Sequence, residues 1–336
     1  MVAQLNRAYL RTRLWKVWSR LVAYSLFEGR PLTTRGQWIN PFLFFFFRII
    51  KRLSPLASVS SPIFILGTGR SGTTILGVVL SMHKEIGFLN EPKALWHSVM
   101  PDEDLIGSYS RSEGRYRLTA DDASPGIRDA AQRLFGAYLR LSGSRRLVDK
   151  YPELIFRLPF VRAIFPDAYF LFLSRDGWDT CASIELWSSR LGQTVATERH
   201  DWWGVDRRKW RLLVEQIIPE HPDLAPHSQS LLAIDDHKVM AAVEWIVTMR
   251  EGLRLAREHP DFVMHVPYDD LCGSSRSAAG KIVDFAGLAS DDVYLQYASD
   301  VLAPTPPRQT FKLPDFIAGP FADTQRALGY DERATA

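Results

Sequence analysis

The residues with the clearest chemical character form a glycine-rich loop, GTGRSGTT, at positions 67–74. Glycine permits tight turns and close approach of the backbone to a ligand, and the loop also offers an arginine and several hydroxyl groups. An apolar segment precedes the loop at 63–66 and another follows it at 75–80, which predicts a strand, a loop and a helix. Because the N–H groups at the start of a helix bind anions, the pattern predicts a phosphate-binding site.

The same loop fits two other ligand-binding patterns. Gly67, Gly69 and Gly72 match the G-x-G-x-x-G pattern of dinucleotide-binding folds, and Glu91 stands where such a fold places its ribose-binding acid. The loop also nearly matches the triphosphate-binding pattern GxxxxGK[ST], except that Thr73 occupies the lysine position. Nicotinamide-dependent oxidoreduction and P-loop phosphotransfer, as in kinases and NTPases, therefore stay open on the loop alone.

Several separated segments resemble sulfotransferases that use 3′-phosphoadenosine-5′-phosphosulfate (PAPS), in particular their bacterial, carbohydrate and tyrosylprotein branches. The loop is similar to the 5′-phosphosulfate loop of that family, the stretch 80–92 to a segment that ends in a glutamate, and 148–153 to a Lys-x-Pro element. The most specific segment is YFLFLSRDGWDTCAS at 169–183, which resembles the family's 3′-phosphate-binding strand and helix. The resemblance covers about residues 62–332.

The resemblance implies a role for each matching residue. Glu91 would be the general base, with Arg70 and Lys150 beside the transferring sulfuryl group. Arg175 and Ser183 would bind the 3′-phosphate of the donor. The other implied donor-binding residues are Gly69, Ser71, Gly72, Thr73, Thr74, Tyr268 near the adenosine, and Lys312 and more weakly Arg308 in a basic loop over the donor.

The implied reaction moves a sulfuryl group from PAPS to a hydroxyl group. Cations and a helix amino end would stabilise the leaving phosphate, and a carboxylate would accept the hydroxyl proton. His83 competes with Glu91 for the proton, because the cytosolic small-molecule branch uses a histidine, but His83 precedes the strand end where a base should stand. No metal is expected, since the histidines and the two cysteines show no metal-ligand spacing.

The elements that would position these residues alternate along the chain. Short apolar segments predict buried strands at 63–66, 146–148, 168–173 and 261–266, with helix-like stretches between them. Such alternation predicts an α/β fold with three layers, in which helices cover both faces of a mostly parallel sheet that includes a P-loop-like strand, loop and helix. Ligands of such sheets bind where strand carboxyl ends meet helix amino ends.

Charge divides the 336 residues into an extension at 1–58 and a catalytic domain at 59–336. The extension holds ten Lys and Arg against one acid, Glu28, so its charge is +9, and the whole-chain charge of +3 leaves −6 for the domain. A basic segment favours an anionic partner. Nucleic acid is not expected, because the segment lacks a known docking motif.

A basic amphipathic helix is predicted at 10–21. Its apolar face would carry Leu10, Leu14, Val17 and Leu21, with Trp15 and Trp18 beside them and Arg13, Lys16 and Arg20 opposite. Such a helix suits a membrane interface, and docking onto the domain is the alternative. The apolar run at 41–50 is too short to span a bilayer. With two separated cysteines, these features predict a cytoplasmic protein with peripheral contact at the inner face of the membrane.

A candidate acceptor lid spans about 187–235. Aromatic faces stack on sugar rings, and basic side chains bind acidic groups. With the basic extension, the lid predicts a carbohydrate, glycolipid or lipid-linked glycan acceptor, and the alternative is a helix pair that packs its tryptophans inward. The residues concerned are Trp187, Trp202, Trp203 and Trp210, with Arg199, His200, Arg207, Arg208 and Lys209.

Overall fold

The computed structural model describes residues 2–32, 34–195 and 197–330, so the last six residues of the predicted catalytic domain lie outside the described residues. The strands are β1 (Ile63–Gly67), β2 (Ile86–Asn90), β3 (Arg146–Lys150), β4 (Tyr169–Ser174), β5 (Gln193–Val195), β6 (Glu198–Asp201), β7 (Gly204–Val205) and β8 (Val263–Pro267). The α-helices are α1 (Arg7–Thr12), α2 (Lys16–Leu26), α3 (Asn40–Ile50), α4 (Thr73–Ser81), α5 (Lys93–Val99), α6 (Pro125–Ser142), α7 (Leu158–Ile164), α8 (Gly177–Leu191), α9 (Arg208–Gln216), α10 (Ser228–Leu232), α11 (His237–Glu258), α12 (Tyr268–Gly273), α13 (Ser275–Phe285), α14 (Asp292–Val301) and α15 (Asp315–Ala327).

The larger sheet has the strand order β2-β3-β1-β4-β8, and each of its pairings is parallel. Successive side chains of a strand point to opposite faces. In β1, Phe64 and Leu66 join the core that also contains residues of α5 to α8 and α11, whereas Ile63 and Ile65 join the core beside α4 and α12 to α14. Helices therefore cover both faces, and the predicted three-layer α/β fold is confirmed.

The predicted strands correspond to β1, β3, β4 and β8, with ends shifted by no more than two residues. The strand, loop and helix at the glycine loop are also present, since β1 ends at Gly67 and α4 begins at Thr73. Gly72 precedes α4 with a φ of +105°, and a Cβ atom there would lie 2.6 Å from the Tyr268 ring. Glycine is therefore required at the point where the loop enters the helix.

The predicted continuous helix at 10–21 is wrong. α1 ends at Thr12, and α2 begins only at Lys16. Between them, the guanidinium of Arg13 donates two hydrogen bonds to the carboxylate of Asp291, at 2.5 and 2.7 Å. This contact joins positions almost 280 residues apart in the chain, so it cannot be predicted from a local apolar pattern.

Side chains of α2 and of the turn after it cover the edge of the parallel sheet. β2 is an edge strand, and the outward polar groups of such a strand lack a neighbouring strand. Three of these groups, two residues apart, are bonded instead to the extension. The bonds are Lys16 Nζ to the Ile86 carbonyl at 2.6 Å, Arg20 to the Phe88 carbonyl, and the Asn90 N–H to the Glu28 carboxylate at 2.8 Å. Side chains of residues 16–28 thus satisfy hydrogen-bonding groups at the free edge of the sheet.

Candidate functional site

A cavity of about 620 Å³ lies above the glycine loop, at the carboxyl ends of the central strands. This volume is within the range usual for small-molecule sites. We call it the loop cavity. Of the residues predicted for the site, it brings together Gly69, Arg70, Gly72, Thr73, Thr74, Glu91, Lys150, Arg175 and Ser183, and its wall is completed by Ile75, Trp187, Trp202 and residues 305–308.

The loop cavity is strongly cationic. Arg70, Lys150, Arg175 and Arg308 line it, whereas Glu91 is the one acid in its described lining. Burial lowers the pKa of Arg70, and the charges of Arg175 and Arg308 add to this effect while Glu91 opposes it. An arginine stays protonated nonetheless, so these cations favour an anionic ligand.

Two polar atoms of the loop cavity are buried without a hydrogen-bond partner among the described residues. They are the hydroxyl oxygen of Thr73 and the Nε atom of Arg175. α4 also begins without a side-chain cap and without an acid in its first turn, which leaves its first N–H groups free of a capping side chain. Buried polar groups of proteins are normally paired, so the loop cavity fits an anion that accepts hydrogen bonds from these groups.

Arg70 and Glu91 both have backbone angles in the left-handed region, with φ of 71° and 50°. Residues other than glycine rarely adopt this conformation, and such strain concentrates at functional sites. The Nε atom of Arg70 donates a hydrogen bond to the hydroxyl oxygen of Ser183 at 3.2 Å. Two strained residues in one cavity wall support a functional role for this wall.

Glu91 and Lys150 form an ion pair that the sheet positions. The register of β2 and β3 places Asn90 opposite Lys150, and the N–H of Glu91 donates to the carbonyl of Lys150 at 2.7 Å. The ammonium of Lys150 contacts the Glu91 carboxylate and is almost fully buried, whereas the Glu91 side chain is 37% exposed. Burial favours a higher pKa for Glu91, but the charges of Lys150 and Lys93 outweigh it, so the pKa lies below its ordinary value of 4.5.

A second cavity of about 270 Å³, the inner cavity, adjoins the loop cavity. The two share Gly69, Glu91, Trp187 and Trp202 in their walls. The two indole rings contact edge to face, with centroids 5.3 Å apart, and a Cβ atom on Gly69 would lie 2.3 Å from the Trp202 ring. Glu91 therefore borders both cavities. The Trp202 ring can lie in their shared wall only because residue 69 is a glycine.

Buried ion pairs line the inner cavity, and the sequence did not reveal this network. The ammonium of Lys209 lies 2.5 Å from the Glu244 carboxylate and 3.4 Å from that of Glu153, which also pairs with Lys93 at 3.6 Å. Trp202 donates its indole N–H to Glu244 at 2.9 Å. Their positions lie far apart in the chain, so no local motif marks them.

The extension also forms part of the inner cavity, through Gly29, Arg30, Pro31 and Thr34. The predicted lid contributes unequally. Trp187 and Trp202 line both cavities, whereas Trp203 and Trp210 are buried in the core, so the alternative of inward packing describes these two.

Three residues implied as donor-binding lie outside the described lining. Ser71 is buried below the loop and donates its hydroxyl to the Thr68 carbonyl at 2.6 Å. Tyr268 packs behind the loop, with the Arg175 guanidinium 4.4 Å from its ring centroid. Lys312 is exposed, and Arg308, four residues earlier, takes the place predicted for it.

His83, the alternative base, lies in a different part of the protein. Its ring is buried, shares a hydrogen bond of 2.8 Å with the Ala289 carbonyl, and packs edge to face on Tyr294. It lines neither cavity. The structure therefore leaves Glu91 as the candidate base.

Comparison with known proteins agrees with these features. A sequence profile of the sulfotransferase family matches residues 62–211. Over 158 residues the chain is 29% identical to nodulation protein NoeE of Sinorhizobium fredii (strain NBRC 101917 / NGR234), a match that covers 44% of this chain and 35% of that protein. The profile match confirms the predicted resemblance.

Two solved structures show more distant similarity. The sulfotransferase domain from the Synechococcus PCC 7002 olefin synthase is 17% identical, and the match covers 82% of this chain and 97% of that domain with a TM-score of 0.45. Mouse sulfotransferase SULT7A1, complexed with PAP, is 12% identical, with coverage of 76% and 68% and a TM-score of 0.37.

Proposed function

We propose that this chain, which matches the sulfotransferase family profile over residues 62–211, transfers a sulfuryl group from PAPS to a hydroxyl group of an acceptor. One observation carries the proposal: the cationic loop cavity and the inner cavity meet at Glu91, which is paired with Lys150. A donor in the first cavity and an acceptor in the second would place the reacting groups beside this carboxylate.

The loop cavity fits the two anionic ends of PAPS. Arg70 and the amino end of α4 lie where the 5′-phosphosulfate would bind, and the unpaired Thr73 hydroxyl supplies a further donor. Arg175 and Ser183 line the same cavity and, by the family resemblance, hold the 3′-phosphate. The free Nε atom of Arg175 is consistent with that role.

In the proposed reaction, the acceptor oxygen attacks sulfur, and the bond from sulfur to the bridging phosphate oxygen breaks. Adenosine 3′,5′-bisphosphate leaves with the electron pair, and the hydroxyl proton passes to Glu91. As charge develops on the bridging oxygen, the Lys150 ammonium shifts its hydrogen bond from Glu91 to that oxygen. Because Lys150 lowers the pKa of Glu91, this shift makes the carboxylate more basic as it receives the proton.

The acceptor that we propose carries a carbohydrate. The inner cavity combines aromatic rings, including Trp187, Trp202 and Phe156, with charged groups such as Glu153 and Lys209. Aromatic faces stack on the apolar faces of sugar rings, and buried charged groups bind hydroxyls strongly. A glycolipid or a lipid-linked glycan offers the same group with a lipid anchor.

Ligand-induced stabilisation tests the donor. A thermal-shift series should show greater stabilisation by adenosine 3′,5′-bisphosphate than by ATP with Mg²⁺ or by NADH, since about 100 times the Kd of a ligand adds ~2.7 kcal/mol. Arg175→Met should reduce the preference for the bisphosphate over adenosine 5′-monophosphate, whereas Arg257→Met, at an exposed site, should not. Greater stabilisation by NADH or by ATP would contradict the proposal.

The pH dependence of kcat/KM tests the base. Since the folded-state pKa of Glu91 is below 4.5, the carboxylate remains ionised as pH falls from 8 to 5, and loses its charge only at lower pH. We therefore expect no acid limb in kcat/KM between pH 8 and 5, measured with labelled PAPS at subsaturating acceptor. A limb between pH 5 and 7 that persists in Glu91→Gln would assign the proton to another group.

A further inference from the structure

Residues 10–56 carry most of the large apolar side chains that the described residues expose, eleven of fifteen. We call these eleven side chains the apolar face. Trp38, Leu14 and Phe42 are the most exposed of them, at 74%, 71% and 67%. The full set is Leu10, Leu14, Trp15, Trp18, Leu21, Trp38, Phe42, Phe45, Ile49, Leu53 and Leu56.

The orientation of the extension leaves this face uncovered. Lys16 and Arg20, predicted opposite the apolar residues, are buried against β2, and Arg13 is paired with Asp291. Burial, with the charge of Arg13, lowers the pKa of Lys16 to about 7. The side of α2 that docks on the domain therefore carries Lys16 and Arg20 together with Val22 and Ala23, whereas Trp18 and Leu21 face outwards.

Two helices that carry part of the apolar face, α2 and α3, are neighbours through α6. α2 and α3 both pack on α6, and Phe27 joins them through ring contacts with Phe46, Phe47 and Tyr138. Trp18 donates its indole N–H to the carbonyl of Leu141 in α6, a residue whose side chain is itself exposed. The exposed sides of the two helices thus flank one surface, and monomeric soluble proteins rarely expose apolar patches of this kind.

The charges of the extension identify what covers this surface. Among the described residues of 2–58, every exposed charged side chain is an arginine, and the one acid, Glu28, is buried with Arg20. A second copy of the chain would bring like charges together. An anionic bilayer complements them, and tryptophan with arginine at its border is typical of interfacial membrane binding. The exposed arginines are Arg7, Arg11, Arg35, Arg48 and Arg52.

We propose that the apolar face binds the surface of an anionic bilayer, with its aromatic rings in the interface and the exposed arginines at the headgroups. The contact differs from the one predicted from the sequence, because Arg13, Lys16 and Arg20 take no part in it. It is interfacial: no described helix is long and apolar enough to cross a membrane.

The bilayer surface would then lie beside the inner cavity. Residues 29–31 and Thr34, between α2 and α3, line that cavity. If the proposed sulfuryl transfer holds, on which this step alone rests, the acceptor is a glycan with a lipid anchor held in the same membrane. The extension would present the headgroup to Glu91.

Vesicle sedimentation of the full chain tests the proposal. Deleting the extension would expose the edge of β2, so point substitutions are required. We expect the wild type to bind vesicles of phosphatidylcholine with phosphatidylglycerol, and Trp18→Ser/Phe42→Ser/Phe45→Ser to bind at least about tenfold less. Val293→Ser, which removes an exposed apolar side chain elsewhere, is the matched control and should bind as the wild type does.

The other outcomes show whether the apolar face binds an anionic bilayer, a neutral bilayer or a second copy of the chain. Binding by the triple variant equal to the wild type, or equal binding to pure phosphatidylcholine, would overturn the proposal. So would dimerisation in analytical ultracentrifugation that the triple variant abolishes, with no vesicle binding. The triple variant should keep the thermal shift with adenosine 3′,5′-bisphosphate, so membrane binding and sulfuryl transfer can fail separately.

Discussion

Lys150→Met should lower kcat for sulfuryl transfer by about 10²–10³, because a well-placed charged donor to developing negative charge contributes this much. The ammonium is almost fully buried at the end of β3 and lines the loop cavity beside Glu91. Methionine keeps the length of the side chain and removes only the charge and its donors. Transfer of ³⁵S from labelled PAPS measures the loss, and Lys281→Met, at an exposed site, should be unchanged.

Combining Lys150→Met with Glu91→Gln tests whether Lys150 acts only on the leaving group or also on the basicity of Glu91. Glu91→Gln alone should lower kcat by about 10²–10⁴ as a lost general base. If Lys150 tunes Glu91 as well as stabilising the leaving group, the two losses are not independent, and the double variant should be close to the worse single one. Losses that multiply would show that the pair does not act as a unit. Retained stabilisation by adenosine 3′,5′-bisphosphate would exclude misfolding as the cause.

The parts of the site that could be predicted from the sequence depend on local pattern. The glycine loop, its strand and its helix lie within 20 residues, so their spacing alone places Gly69, Arg70 and Thr73 in one cavity. The family resemblance, not local spacing, supplied Glu91 and Lys150, and the structure places both at the carboxyl ends of neighbouring parallel strands.

The parts that could not be predicted depend on contacts between distant segments. Lys209 in α9 and Glu153 after β3 lie far apart in the chain, and only the tertiary fold brings their charged groups to 3.4 Å from each other. In the basic loop, the sequence offered two cations four residues apart, and only the path of the chain decides that Arg308 lines the cavity and Lys312 does not.

The extension shows most clearly why a periodic pattern leaves orientation open. Its amphipathic character is real, but a pattern cannot tell which face meets the domain. Apolar burial usually decides this question. Here the edge of β2 presents unpaired carbonyl and N–H groups, and long cationic side chains with a glutamate satisfy them, so Lys16 and Arg20 are buried on the docked side together with the apolar Val22 and Ala23.

Arg20→Leu should therefore lower the free energy of unfolding by about 3–5 kcal/mol, the usual cost of removing one partner of a buried ion pair. Arg20 and Glu28 are 2.8 Å apart, and their side chains are 1% and 6% exposed. The substitution leaves Glu28 as an uncompensated buried charge and the Phe88 carbonyl without its partner. Urea unfolding followed by circular dichroism measures the change, with Arg11→Leu, at an exposed site of α1, as the control.

Arg20→Leu/Glu28→Leu then separates charge from sheet-edge hydrogen bonding. If the unpaired carboxylate causes most of the loss, the double variant should regain more than half of it, because two apolar side chains replace the ion pair. If the double variant is as unstable as Arg20→Leu, hydrogen bonds to the sheet edge carry the effect: the bond to Phe88 is lost in both variants, and loss of the bond between Glu28 and Asn90 in the double variant offsets removal of the charge. A loss below about 1 kcal/mol in Arg20→Leu would contradict both, since it is the size expected of an exposed pair.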